Sequence, residues 1–252
     1  MFAKLENRII VQYKVTTKSD LHIGGHTTIE PSEVDSPVIK NTAGYPIIPG
    51  SSLKGVLRTE LERLLRGLGV DGVCTPDNLC HTKNNENKEC PICLVFGGAE
   101  MAASIRIKDA TADYKKTLIR DGVAIERQNR KARKGGKYDI EVVPKGTVFT
   151  GTLSVENSGL GKCEHTKLGA LLSLISFFNS CSGSIGHAIS RGFGEVEIVI
   201  EKINVITAQD YLSGDYAGIE YLKDNLEYAE LKSNAIADWS EYIIDYMSGK
   251  DE

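Results

Sequence analysis

Glu33-Val-Asp-Ser-Pro-Val-Ile39, followed closely by Ile48-Pro-Gly-Ser-Ser-Leu-Lys-Gly55, is the stretch of this 252-residue sequence that says most about its fold. The first segment places one carboxylate, Asp35, on a loop that a proline stiffens. The second has the proline, glycine and serines that are typical of a helix start. The sequence therefore predicts a carboxylate just upstream of a helix N-terminus, where free backbone N–H groups attract anions.

The start of this helix has the features of a phosphate site. Ser51 or Ser52 can cap a helix that begins near Leu53. Lys54 and Arg58 are four residues apart, so both cations project from one face, beside the partial positive charge of the helix end. We expect this surface to hold a phosphate. The alternative is an ordinary capped surface helix that carries two solvated cations.

Three motifs follow one another along the chain: Asp35-Ser-Pro-Val, Pro49-Gly-Ser-Ser-Leu-Lys-Gly55 and Ser190-Arg-Gly-Phe-Gly194. Together they resemble the RAMP superfamily, in particular the repeated backbone subunit of type III (Csm-type) CRISPR-Cas effector complexes. The resemblance covers most of residues 8 to 200. One departure from the family's pattern is Ser184, which stands where the family has the first glycine of a Gly-apolar-Gly step.

The resemblance implies a subunit that binds guide RNA, polymerises along it with copies of itself beside other type III effector subunits, and pairs with and cleaves target single-stranded RNA. In the family, the aspartate that matches Asp35 is required for target cleavage. A carboxylate there can hold a divalent ion, Mg²⁺ or Mn²⁺, or orient the ribose 2′-hydroxyl for in-line attack. Two alternatives stay open: an RNA-binding structural subunit without catalysis, and a metal-independent guide-RNA processing endonuclease that works through His22.

The charge of the chain is unevenly distributed. Residues 201 to 252 contain twelve acids and four lysines, a net charge of -8, which leaves +4 for residues 1 to 200 out of the total of -4. A phosphate backbone responds to local charge, so an acidic total does not exclude RNA binding. The sequence shows no signal peptide and no apolar run of membrane length, so we expect a cytoplasmic protein without membrane contact.

The apolar pattern predicts an α+β fold. Its expected elements are strand 8–17, helix 53–69, strands 103–109, 140–143 and 147–155, helix 165–179 and strand 195–200. This is the order of a ferredoxin-like sheet, the RRM-like scaffold of RNA-recognition modules. We expect a palm of this kind over residues 1–200, with two insertions, followed by an acidic helical segment over residues 201–252.

The first insertion, residues 70–100, is predicted to be a zinc-binding lid. Its candidate ligands fall within twenty residues: Cys74, Cys80, His81, Cys90 and Cys93. The last two form a Cys-x-x-Cys turn, which supplies two thiolates at the angle that a tetrahedral zinc site needs. We expect a structural zinc with four of these five ligands, the adjacent Cys80 and His81 giving only one. The alternative is a set of free structural thiols.

The second insertion, residues 120–147, is predicted to be a basic thumb hairpin. Six of the twelve residues from Glu126 to Lys137 are basic, and Gly135-Gly136 supplies a flexible tip or turn inside the run. Such a segment is either a solvated loop or bound to an anion. In the resembling family a thumb in this part of the chain separates the guide–target duplex into segments. The cations expected to grip phosphates are Arg127, Arg130, Arg133 and Lys134.

Two further residues complete the predicted RNA surface. Arg191 adds charge to the glycine-rich segment 183–194, whose backbone N–H groups can approach a phosphate. A turn that leads into a strand explains these glycines equally well. His22 precedes a glycine turn and could touch RNA or polarise a ribose; the alternative is a hydrogen-bonded structural histidine.

Overall fold

Strand β1, Asn7–Thr17, lies at the centre of the main sheet, and its alternating side chains explain this position. One face is buried and the other is more exposed, as in a strand that lies against a core on one side. The residues buried on that face are Ile9, Val11, Tyr13 and Val15. β1 pairs antiparallel with β7, Val148–Glu156, along one edge and with β8, Val196–Thr207, along the other.

The structure, a computed structural model, describes residues 4–25, 34–74, 90–99 and 101–248. In chain order its elements are β1, β2 (Ile47–Ile48), α1 (Gly50–Gly67), α2 (Pro91–Phe96), β3 (Ile105–Ile107), β4 (Ala110–Ala112), β5 (Leu118–Ile125), β6 (Ala132–Val142), β7, α3 (Thr166–Ser180), β8, α4 (Ala208–Ser213), β9 (Ile219–Leu222) and α5 (Leu226–Ser248). The predicted α+β class is confirmed.

Two separate sheets are formed. The larger has the order β2-β4-β7-β1-β8-β9, with β3 also paired to β7, and its strand pairs are antiparallel. The smaller consists of β5 and β6 alone. The basic segment is therefore a two-stranded hairpin that projects from the main sheet. We call residues 118–142 the thumb hairpin.

The helices cover the buried face of the main sheet. α1 buries one stripe of leucines, as its 3.6-residue period predicts: Leu53, Leu57, Leu61 and Leu65. α3 is different, because ten of its fifteen residues are buried. It contacts β8 and α1 and is covered by α5, which buries Ala235 and Trp239. A helix packed on several sides is apolar nearly all round.

The thumb hairpin turns at a different place from the one expected. Gly135, with φ +71°, lies inside β6, so the predicted glycine turn is wrong. The chain reverses between Glu126 and Lys131, where the Glu126 N–H donates to the Lys131 carbonyl at 2.9 Å. Arg130 adopts the left-handed conformation there, with φ 53°. The glycine permits an irregularity in a strand rather than forming the turn.

No helix within the described part of the chain is both long enough and apolar enough to span a membrane.

The contact between α3 and α5 yields a stability prediction. A Cβ at Gly169 would lie 1.7 Å from the Ala235 carbonyl oxygen, so Gly169→Ala must push the helices apart. We expect a loss of about 1–3 kcal/mol in the free energy of unfolding, measured by urea denaturation. Gly55→Ala in α1 is the control, because its Cβ meets nothing within 4 Å and should stabilise the helix by roughly 0.5–1 kcal/mol. Equal stability of the two variants would contradict this packing.

Candidate functional site

The loop that carries Asp35 runs between two other segments. On one side, the Gly25 N–H donates to the Pro37 carbonyl at 2.8 Å, and the Ile39 N–H donates to the Ile23 carbonyl at 3.0 Å. On the other side, Ser36 forms a parallel bridge with Ile140 of β6. The residues after β1, the Asp35 loop and the thumb hairpin therefore form one continuous hydrogen-bonded unit.

The Asp35 side chain is exposed, and one of its oxygens is held by the thumb hairpin. The backbone N–H of Asp139 donates to Asp35 Oδ2 at 3.0 Å. A carboxylate fixed by a backbone donor is oriented without being neutralised.

Two more carboxylates lie at this end of the thumb hairpin. Asp121 and Asp139 stand directly opposite each other on β5 and β6. Their proximity raises the pKa of Asp139, through a side-chain hydrogen bond with Asp121, partial burial and the negative charges of Asp121 and Asp35. Neither residue stands out in the sequence, because only the strand register shows that they meet.

Glu141 clamps the Asp35 loop onto β6. Its buried carboxylate accepts hydrogen bonds from the Val38 N–H at 2.8 Å and from Thr117 Oγ1, and it forms an ion pair with Lys40. Burial alone would raise the pKa of Glu141, but the hydrogen bonds from Lys40, Thr117 and Val38 outweigh it and lower the pKa. Glu141 stays ionised at neutral pH and holds the loop by charge as well as by hydrogen bonds.

His22 lies beneath this clamp rather than on the surface. It is 4% exposed, and its Nδ1 is 2.7 Å from the Glu141 carbonyl oxygen. A carbonyl only accepts, so the His22 Nδ1 must carry a proton and donate it to this hydrogen bond. The His187 ring packs edge-on at 6.1 Å between centroids. These contacts correspond to the alternative in which His22 is a hydrogen-bonded structural histidine.

The glycine-rich segment 183–194 also contacts His22. The His187 N–H donates to the His22 carbonyl at 2.8 Å. Gly186 has φ +88°, and a Cβ there would lie 2.3 Å from the His22 carbonyl oxygen, so only glycine fits. Arg191 follows in a short 3₁₀ turn, and its Nη1 lies 3.5 Å from the Tyr138 hydroxyl at the base of the thumb hairpin.

Helix α1 begins earlier than expected and without a serine cap. Its N-cap is Pro49, and the expectation that Ser51 or Ser52 caps it is wrong. Asp109, from the turn between β3 and β4, supplies the acceptor instead: its Oδ1 accepts from the Gly50 N–H at 2.8 Å. A Cβ at Gly50 would lie 2.1 Å from the Ile107 carbonyl oxygen, so glycine allows this close approach.

An open cavity of about 500 Å³ lies beside the start of α1. Ser51, Lys54 and Arg106 of β3 supply its polar lining. Arg106 also pairs with the buried Glu156 at 2.9 Å, which fixes its position. Arg106 could not be singled out from the sequence, because its only signal there is an outward-facing cation in a short predicted strand.

Arg58 is engaged elsewhere. It does not line this cavity; its Nε contacts Glu62 at 2.9 Å and its Nη1 donates to the Gly97 carbonyl at 2.9 Å. Lys54 and Arg58 are close enough that Arg58, after burial, contributes to lowering the pKa of Lys54. The two predicted phosphate-binding cations therefore have different surroundings.

Three buried thiols form a cluster that could hold a metal ion. The Sγ atoms of Cys74, Cys90 and Cys93 all lie within 4.8 Å of one another, and the three are free of disulfides. Burial, a hydrogen bond with Cys74 and the proximity of Cys90 raise the pKa of the Cys93 thiol to about 12. Closely spaced sulfur donors in an apolar pocket suit a soft divalent cation such as zinc. The other two predicted ligands, Cys80 and His81, lie outside the described residues.

The thumb hairpin exposes its cations and an apolar face together. Its four predicted RNA contacts, Arg127, Arg130, Arg133 and Lys134, are all exposed. On β5 the side chains of Ile119, Val123 and Ile125 are 61%, 49% and 64% exposed. A hairpin with apolar and cationic surface in solvent is suited to contact bases and phosphates.

A sequence model of the RAMP superfamily matches residues 14–197 of the chain. The chain is 25% identical over 232 residues to a protein of Methanocaldococcus jannaschii named "CRISPR system Cms endoribonuclease Csm3", covering 84% of this chain and 86% of that protein. A protein of the same name from Enterococcus italicus is 25% identical over 226 residues, with 79% and 94% covered. One from Methanothermobacter thermautotrophicus is 31% identical over 103 residues, with 40% and 38% covered.

Proposed function

The chain belongs to the RAMP superfamily, and from this we propose that it is the guide-RNA-binding backbone subunit of a type III CRISPR effector complex and cleaves target single-stranded RNA. The observation that carries the proposal is the position of Asp35, an exposed carboxylate hydrogen-bonded to the base of a basic hairpin. RNA gripped by the thumb hairpin would pass directly over this carboxylate.

We infer that the main sheet is a ferredoxin-like, RRM-like palm. The adjacent strands β8, β1, β7 and β4 alternate along the chain with α1 and α3 in the manner of that fold. The zinc-binding lid is inserted over residues 70–100 and the thumb over residues 120–147. The acidic segment 201–252 contributes β9 and α5, which extend the palm.

The guide backbone would follow the start of α1. Ser51, Ser52 and Lys54 are expected to contact its phosphates, and Arg106, which lines the same cavity, is added to this set. The helix N-terminus contributes partial positive charge, although Asp109 already occupies the Gly50 N–H. Arg191 extends the cationic surface toward the thumb hairpin.

In the cleavage reaction, Asp35 would bind a divalent cation, Mg²⁺ or Mn²⁺, which would polarise the scissile phosphate and stabilise the charge that develops on it. Hard cations prefer carboxylate oxygens, and Asp121 and Asp139 add negative potential beside Asp35, so the chemistry of this exposed carboxylate suits such an ion. The Asp35 oxygen that does not accept from Asp139 would orient a ribose 2′-hydroxyl for in-line attack.

The thiol cluster is proposed to hold a structural zinc. Cys74, Cys90 and Cys93 would be three ligands, and Cys80 or His81 the fourth. Such a site is closed by protein and so has no open position for substrate. Arg58, fixed to Gly97 beside the cluster, is placed to offset the negative charge of thiolates. We therefore propose that Arg58 stabilises the zinc-binding lid and does not bind the guide RNA.

Copies of this chain would assemble along one guide RNA, together with other type III subunits, in the cytoplasm. The alternative in which His22 processes guide RNA loses support, because His22 is buried and its Nδ1 is occupied. A purely structural subunit would need no exposed carboxylate at the thumb base. Asp35 favours the catalytic function.

The catalytic assignment predicts that Asp35→Ala slows target cutting in the assembled complex by roughly 10²–10⁴-fold, while RNA binding is retained. EDTA should have the same effect on the unsubstituted complex. Cutting is measured on labelled target RNA, with Asp245→Ala on the exposed face of α5 as the control. A complex with Asp35→Ala that cuts at the normal rate would remove the assignment.

The thumb assignment predicts that joint replacement of Arg130, Arg133 and Lys134 by alanine weakens RNA binding. Because about three phosphate contacts are lost, the slope of log K against log[salt] should become shallower by roughly 2. The control removes Lys202, Lys223 and Lys232, which lie far along the chain, and should leave the slope unchanged. If the thumb variant binds RNA as tightly as the unsubstituted protein at every salt concentration, the assignment is contradicted.

The zinc assignment predicts that the purified protein contains about one zinc ion per chain. Cys93→Ser should lower both the metal content and the melting temperature, and so should dialysis against a strong chelator. Cys181→Ser is the matched control, since Cys181 is exposed and outside the cluster. Unchanged metal content and melting temperature after chelation would exclude the zinc site.

A further inference from the structure

We propose that the backbone N–H of Asp139, on thumb strand β6, is a positioning group for Asp35, so that the seating of the thumb hairpin determines where the carboxylate lies. The inference rests on the proposed role of Asp35 in cleavage. It adds that cleavage depends on the thumb hairpin for more than affinity.

The Asp35 loop behaves as a short third strand along the outer edge of β6. The Ser36 N–H donates to the Asp139 carbonyl at 3.1 Å, and the Glu141 N–H donates to the Ser36 carbonyl at 2.9 Å. Together with the parallel bridge between Ser36 and Ile140, these bonds tie the loop to the same strand that leads to the thumb tip. A movement of β6 therefore carries the loop with it.

The register of the hairpin explains why Asp139 is the donor. In an extended strand the backbone groups of successive residues point to opposite edges. Asp139 has its N–H and carbonyl directed at the Asp35 loop, so the pair of Asp139 with Asp121 is a non-hydrogen-bonded pair whose side chains are close. This accounts at once for the crowding of the two carboxylates and for the donor that reaches Asp35.

The remaining contacts of the loop hold it by other means. Glu141 fixes Val38 and Lys40, which lie three and five residues beyond Asp35. Among the described contacts, the hydrogen bond from the Asp139 N–H is the one that holds the Asp35 carboxylate itself. Loss of this donor should leave the loop attached but release the side chain.

The thumb hairpin is not a rigid platform by itself. A two-stranded hairpin is marginally stable without further layers, and β5 is exposed along nearly its whole length. Its base is held by the ion pair between Arg120 and Asp20 and by the approach of Arg191 to Tyr138. RNA bound by the thumb cations would restrain the hairpin, and β6 would transmit this restraint to Asp35.

The test compares Asp139→Pro with Asp139→Ala in the assembled complex. Both variants lose the carboxylate and only proline lacks the N–H, so their difference reports the loss of the donor together with the φ that the proline ring fixes. The Asp139 N–H is directed at the Asp35 side chain and not at β5, so proline at this position removes no hydrogen bond between β5 and β6. We expect single-turnover cutting by Asp139→Pro to be at least about tenfold slower than by Asp139→Ala, with equal target affinity and equal guide-RNA content.

A metal titration separates positioning from loosened structure. A released Asp35 should bind the ion less well, so Asp139→Pro should need more Mn²⁺ for half-maximal cutting than Asp139→Ala. Equal rates and equal Mn²⁺ midpoints would overturn the inference. If Asp139→Pro does not assemble, an amide-to-ester replacement at position 139 removes the same donor while keeping the side chain, and it should show the same slower cutting and higher midpoint.

The two proposals fail in different ways. If Asp35→Ala cuts at the normal rate, the catalytic role of Asp35 is wrong and the inference falls with it. If Asp35→Ala is inactive while the donor-deleted protein cuts like its matched control, only the positioning role of Asp139 is wrong.

Discussion

The antiparallel pairing of β1 with β7 and β8 is the constraint on which the other features depend. It buries one face of β1 and brings the chain to residues 20–25 at a fixed point on the sheet. At that point Leu21 pairs with Val143 after the thumb hairpin, the Gly194 N–H donates to the Asp20 carbonyl, and Gly24 pairs with Val38. Thumb, glycine segment and Asp35 loop therefore converge because one strand ends where it does.

Much of the architecture could be predicted from the sequence where one period dominates. β1 alternates loosely around its buried residues, and α1 and α3 carry apolar residues in helical spacing, so the sequence predicts these elements to within a few residues. Local turn chemistry was less reliable. Asp109, more than fifty residues away, displaced the serines as the acceptor at the start of α1, and the hairpin turned at Glu126 to Lys131 although a glycine pair was available.

The candidate site shows the same division between local motif and register. The sequence offers Asp35, Lys54 and the thumb cations as candidates, because each lies in a short pattern of its own. Glu141, Asp139 and Arg106 could not be predicted, since their importance comes from which residue faces them across strands. The thiols are intermediate: their spacing predicted a cluster, and the structure brings the Cys74 thiol close to those of Cys90 and Cys93.

The exposed apolar face of the thumb hairpin affects the solubility of the newly made protein before it binds RNA. β5 presents Ile119, Val123 and Ile125 to solvent and has an unpaired outer edge among the described strands. Such edges invite pairing with other chains. A newly made subunit would thus be prone to aggregation. If nucleic acid covers the hairpin as proposed, the amount of soluble subunit in a cell would depend on the supply of guide.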